Sequence, residues 1–463
     1  MINNIGFQTQ NINAQPVQPQ VNQAFQTNPI KLNQPTQQPL STQFNNYVPQ
    51  VRTKLTPDEE TKFLAVVEAL EASPIQDLNK SQMQISQGKK LIALLAMGKL
   101  LNSKSNDGST MLDNLHKIVT EPRFEGISGV KIANQVVDAV YDPTIITQKF
   151  GDIPNEVRQA LVNNPQVYQA LGTDLSSIDV NINGSGTCPA ASLEFMMANK
   201  MPAEFARWAA NLTSPQMKVP HTLDYTALSK NKQEADMFVN YFKTVPLADN
   251  NGKYQLELKP DKNAVLRALV QDKYYDEGER TTLDVLMQST IMTLGTGEGY
   301  NSLNDTKTRQ HEENGQLVNV DDQGLWEDEK TYIESVITNQ EKTSLVYQVI
   351  DDNGNLAGRK CEPARVKGHI QKALDMGQDI VIGYTDVVPT ADAPQGKLFG
   401  HEITIVGIQK EADGKEYFLC NDTDDGENKL IKLEVNEFLP KIHHATYPAE
   451  LVEGDSDLYS TNV

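Results

Sequence analysis

Positive charge is scarce in this chain of 463 residues: 41 Lys and Arg stand against 61 Asp and Glu, a formal net charge of −20. A nucleic-acid partner held by its phosphates needs a basic face, and no basic cluster occurs anywhere. An anionic membrane surface is disfavoured for the same reason. Long apolar runs are missing too. Leu91–Met97 is among the longest, far short of the ~20 residues that cross a bilayer, so no membrane insertion is expected. The first 25 residues lack the basic and apolar regions of a Sec-type signal. The expected location is cytoplasmic, or outside the cell by a route that uses no such signal. Cysteine is limited to Cys188, Cys361 and Cys420. Three distant cysteines build no disulfide framework, and without CxxC or Cys/His spacing neither a metal site nor a cofactor is expected. Buried, reduced thiols would be the ordinary outcome.

What is present divides the chain into blocks. Residues 1–50 hold 12 Gln and 9 Asn, one Lys (Lys31) and no acid. Such a segment buries too little apolar surface to offset its ordering entropy, so a disordered tail is expected. Residues 51–175 read as a helical domain. Thr56-Pro57-Asp58-Glu59 is a capping box with proline at the first helical position. Phe63, Val66, Val67 and Leu70 follow at helical spacing. Further helices are expected over 81–102, 110–120, 130–141 and 154–163. From 176 the texture changes. A short strand over 178–182 leads into the turn-rich Asn183-Gly184-Ser185-Gly186-Thr187 and then an apolar helix from Cys188. Mixed helices and polar loops fill 214–310. The last third reads as strands, with a hairpin around Asp351–Gly354, a helix over 364–376 and strands over 380–384, 401–409 and 416–421. Residues 446–463 read as an acidic tail. The fold class expected is α+β.

Cys188 stands out from the ordinary buried thiol. A Gly/Ser loop delivers it to a helix start, and Pro189 suits the first helical position. The sulfur then faces free N–H groups and the positive end of the helix dipole, which favour thiolate over thiol. The same N–H groups can hold an oxyanion. A thiolate nucleophile needs a base and a group that orients the base. His401 follows Gly400 and opens the apolar strand Ile403–Ile408. Across the turn at Asp413-Gly414 the partner strand ends at Cys420-Asn421-Asp422, where Asn421 or Asp422 can accept the imidazole N–H. His443 and His444 follow Pro440 in a terminal segment and compete poorly. Trp208 and Trp326 are expected in the core or at a rim.

These residues resemble the papain-like cysteine peptidases. Gly186-Thr187-Cys188-Pro189-Ala190-Ala191-Ser192 resembles their nucleophile helix, Gly400-His401-Glu402-Ile403-Thr404-Ile405 their histidine strand, and Tyr417-Phe418-Leu419-Cys420-Asn421-Asp422 the strand that ends in their third catalytic residue. Asp422 falls where papain-like enzymes carry Asn, and an Asp there is similar to the bacterial bacteriocin-processing branch. The resemblance implies a papain-like domain over 176–445 with an insertion near 214–363. It implies Cys188 as nucleophile, His401 as base and Asp422, with Asn421 as runner-up, as orienting group. The family's oxyanion Gln, about six residues before the Cys, is replaced by Ile182, which leaves Asn183 as the nearby amide. Residues 51–175 stand where a pro-segment would.

The function expected is thiol-dependent hydrolysis of amide bonds in a peptide or protein substrate through an acyl-enzyme. Transglutaminase- or deamidase-type acyl transfer stays open, as does a catalytically inactive papain-like interaction module.

Overall fold

Helix starts follow the capping chemistry written in the sequence. Helix α1 (Pro57–Ala72) begins with the reciprocal Thr56–Glu59 box: the Thr56 N–H donates to Glu59 Oε2 over 2.7 Å, and the Glu59 N–H to Thr56 Oγ1 over 3.3 Å. Helices α2 (Gln87–Ala96), α3 (Met111–Thr120) and α4 (Gly129–Tyr141) follow, with α3 capped by Thr110 and Asp113. This computed structural model describes residues 15–16, 55–72, 85–149, 186–242, 248–249, 252–274, 279–297, 299–303, 305–313, 316–322, 324–351, 355–388, 397–424 and 428–460. The rest of the Gln/Asn-rich tail, the helix expected over 154–163, the strand expected over 178–182 and Asn183 lie outside the described residues.

The chain continues through α5 (Cys188–Lys200) and α6 (Pro202–Leu212), then β1 (Val219–Asp224), α7 (Lys232–Tyr241), β2 (Lys253–Leu258), α8 (Ala264–Tyr274) and α9 (Thr282–Thr296). A hairpin of β3 (Thr306–Glu313) and β4 (Gln316–Asp322) precedes α10 (Glu327–Thr338). Then come β5 (Lys342–Val346), the hairpin β6 (Gln348–Ile350) and β7 (Leu356–Arg359), and α11 (Pro363–Asp375). The last strands are β8 (Ile380–Val388), β9 (Lys397–Lys410), β10 (Glu416–Asn421), β11 (Ile431–Glu434) and β12 (Ile442–Pro448). The main sheet runs β11-β10-β9-β8-β12-β5, every pair antiparallel, and Gln15–Pro16 adds a short edge strand beside β11. The architecture is mixed helix and antiparallel sheet. No helix among the described residues is long and apolar enough to cross a membrane.

Two cores flank this sheet. On one face Ile380, Ile382, Ile403 and Ile405 pack against Val366, Ile370 and Ala373 of α11. Gly377 ends α11 at φ 78°, where its N–H donates to Leu374 O and the Gln378 N–H reaches Ala373 O, a glycine-terminated cap. The second core joins α1–α6, α9 and α10, and Val381 belongs to it. Four of the expected boundaries change as a result. Residues 57–141 are no separate helical domain, because Phe63, Leu112, Leu115 and Val136 share one core with Leu193 and Phe205. The 214–363 stretch is no appended insertion, because it supplies α10 and strand β5. Residues 446–460 are no free acidic tail: Tyr447, Val452 and Leu458 are fully buried, and Arg365 grips Asp455 and Asp457. The papain-like span therefore cannot stop at 445, since β12 runs to Pro448.

Candidate active site

Helix α5 is buried from Cys188 to Ala198, and three sets of contacts fix it. At its start Thr187 Oγ1 donates to Gln288 Oε1 over 3.1 Å and accepts from Arg280 Nη2 over 2.5 Å. Arg280 in turn bridges Asp305 and the Gln148 carbonyl. In its middle Thr404 Oγ1 of β9 donates to the Ser192 carbonyl over 3.4 Å. At its end Asn199 Nδ2 donates to Asp379 Oδ2 over 2.6 Å. Cys188 is the first helical residue and Pro189 the second, one position later than the sequence expectation for the proline, with Thr187 at the N-cap.

Strand β9 brings His401 to this helix start. His401 does not open the strand; it is the fifth residue, because pairing with β8 extends back to Lys397 opposite Val388. Its cross-strand partner is Tyr384, whose ring meets the imidazole edge-on at 5.8 Å. Phe438 supports Tyr384 from behind.

Three groups 213 and 21 positions apart in the chain meet here. The Cys188 side chain hydrogen-bonds the His401 side chain. His401 Nε2 lies 2.8 Å from Asp422 Oδ1, which also accepts the Asp424 N–H at 3.0 Å. With Nε2 taken by the carboxylate, the imidazole's other nitrogen, Nδ1, is left for the sulfur. Asn421, the alternative orienting residue, is buried opposite Thr404, and its Nδ2 has no partner. Asp422 takes the place beside His401.

The protonation balance is shared among the three. Burial works against the charged His401, yet Asp422 and Cys188 outweigh it and hold the imidazole well above its usual range. Burial likewise pushes Asp422 up, and His401 more than reverses this. The Cys188 thiol departs from the sequence expectation. Burial raises it; His401 and the Glu402 backbone N–H pull it back only in part. Helix-start amides lower a thiol where solvent reaches it, and Cys188 is 1% exposed.

Sequence reasoning missed the Glu402 N–H, Tyr384 and the Arg280–Asp305 pair. Glu402 and Tyr384 follow from strand register once the strands are placed. Arg280 carried no signal, because its partners lie 25 to 132 residues away. Trp208 is a core residue, donating to Glu204 Oε1 over 2.9 Å, and Trp326 is half exposed at the start of α10. No protein-family model matches the chain, and no curated protein matches it.

Proposed function

We propose that this protein is a thiol-dependent hydrolase of amide bonds, with a papain-like arrangement of nucleophile, base and orienting carboxylate. The single observation that supports it most is the convergence of Cys188, His401 and Asp422 from the start of α5, the body of β9 and the end of β10. Cys188 attacks the carbonyl as His401 takes the thiol proton at Nδ1. Asp422 accepts the Nε2 proton, fixes the ring and stabilises the imidazolium. The Cys188 N–H, in the first turn of α5, faces the oxyanion. His401 returns its proton to the leaving amine, and water then releases the acyl group. Because the sulfur is covered, substrate entry requires the segments over Cys188 to open.

The test is turnover of a peptide library by the full chain beside Cys188→Ala and His401→Ala. Cleavage by the native chain that falls about 10³-fold or more in both variants is expected. Equal cleavage in Cys188→Ala would overturn the reading. A fluorescent amine added to the same reaction reports whether the acyl group passes to an amine instead of water.

A further inference from the structure

Glu327, His443 and His444 lie apart from the proposed nucleophile. Adjacent residues of a strand normally point to opposite faces. Here the pairing of β8 with β12 slips: Gly383 faces His444 and Tyr384 faces Ile442, so His443 is an extra residue in the ladder. Such a bulge re-aims a side chain, and both imidazoles turn to the same spot. Gly383 makes room for them, since a Cβ there would overlap the His444 ring.

The donor atoms form a tight triangle. Nδ1 of His443 and Nδ1 of His444 are 2.8 Å apart, and Glu327 Oε1 lies 3.4 Å from the first and 3.3 Å from the second. Three ligands bound to one ion at ~2.0–2.2 Å stand roughly 2.8–3.5 Å from one another. A point ~2.1 Å from all three atoms exists about 1 Å off their plane. The side chains keep 16%, 17% and 9% of their surface exposed, in the order Glu327, His443, His444, so solvent reaches the triangle.

Proton accounting leaves the triangle short of donors. The Lys330 ammonium, which also bonds Glu402 Oε1 at 2.6 Å, donates to Nε2 of His444. A neutral His444 then carries its only ring proton on Nδ1. That proton can serve His443 or Glu327, but not both. We propose that Glu327, His443 and His444 bind a divalent transition-metal ion of the Zn²⁺ type, through two imidazole nitrogens and one carboxylate oxygen, and so clamp the start of α10 to β12. On binding, the His444 ring proton moves from Nδ1 to Nε2, which faces Glu402 Oε1 3.5 Å away. Lys330 turns to Glu402 Oε2, a buried oxygen that has no partner. Glu402 thereby becomes the carboxylate behind a metal-bound histidine. Two nitrogens and one oxygen suit Zn²⁺, Co²⁺ or Ni²⁺ better than Ca²⁺ or Mg²⁺.

The test uses the full chain with Cys188→Ala, so that zinc held by the thiol and His401 is not counted. Equilibrium dialysis against Zn²⁺ should give one equivalent per chain, and Co²⁺ should give visible absorption bands with no thiolate charge-transfer band. Adding His443→Ala should remove the equivalent. Glu327→Gln, which keeps the side chain's shape, should weaken it about 10-fold or more, so the outcome does not hang on how well the alanine variant folds. Zn²⁺ should raise Tm in the Cys188→Ala protein and leave the His443→Ala double variant unmoved. No Zn²⁺ bound with Cys188→Ala, or an equivalent indifferent to both His443→Ala and Glu327→Gln, would overturn the proposal. None of these readouts depends on peptide cleavage.

Discussion

Two histidine–carboxylate groups stand on neighbouring strands of one sheet and are driven in opposite directions. At His401 the Asp422 carboxylate sits on one nitrogen and the Cys188 thiol on the other, and the ring is held well above its usual range. At His443 burial comes first and the neighbouring His444 ring adds to it, so the ring is pulled down to about 4 despite Glu327. Glu327 itself, pushed up by burial, is brought down to about 2 by His444, Lys330 and His443. The first group is built to hold a proton, the second to offer lone pairs. Residue type does not separate them; the number of carboxylates per imidazole and the nearness of a second cation do.

The strongest way to break this contrast is to exchange losses between the sites. His401→Ala should abolish amide turnover, by about 10³-fold or more, and keep one Zn²⁺ equivalent in the Cys188→Ala background. Loss of Zn²⁺ there would mean that the two groups are one site. Next in size is the orienting residue. Asp422→Asn should lower kcat by roughly 10²–10⁴-fold, whereas Asn421→Ala should change kcat only a few-fold, because its amide faces away from the imidazole. An equal loss in both would restore Asn421 as the working residue.

Gly383→Ala tests the second group alone. Its methyl would displace the His444 ring, at a cost of about 1–3 kcal/mol of stability, read as a lower denaturation midpoint and weaker Zn²⁺ uptake. The smallest effect is on pH. His401, raised in the fold, lends stability that is complete below about 6.5 and fades as pH rises through its folded value. Asp422, depressed in the fold, lends stability that is complete above about 3.9 and fades as pH falls. Their pair therefore helps most between these limits. Asp422→Asn should flatten a plot of Tm against pH in that window, and should move the alkaline limb of iodoacetamide labelling at Cys188 to lower pH.

Local signals made much of the architecture legible. The Thr56–Glu59 box, the hairpin at Asp351–Gly354, the strand 416–421 and the helix start at Cys188 each follow from capping, turn chemistry or alternation within a few residues. The order Cys188, His401, Asp422 was readable because each closes or enters a regular element. What stayed hidden depends on register or on distant partners. The bulge that aligns His443 with His444 is set by pairing with β8, and nothing in Ile442-His443-His444-Ala445 announces it. The expected fall of the Cys188 thiol failed because helix-start chemistry is local, while burial of the sulfur comes from elements far along the chain. The acidic end looked like a tail because Asp455 and Asp457 outnumber the nearby apolar residues, yet Arg365 neutralises both.

The single core linking α1–α4 to α5 bears on how the chain would respond to nicking. Leu112, Leu115 and Ile118 of α3 are buried in it, each contributing about 2 kcal/mol of burial. Beyond α4, the Lys149 carbonyl accepts the Arg280 N–H, and Thr147 Oγ1 donates to the Thr423 carbonyl beside Asp422. A protease cut past residue 149 would leave two fragments that migrate together on a sizing column, the smaller still lying against the loop that carries Asp422. Severing the backbone and freeing the cysteine would thus be separate events, the second needing the fragments to be pulled apart.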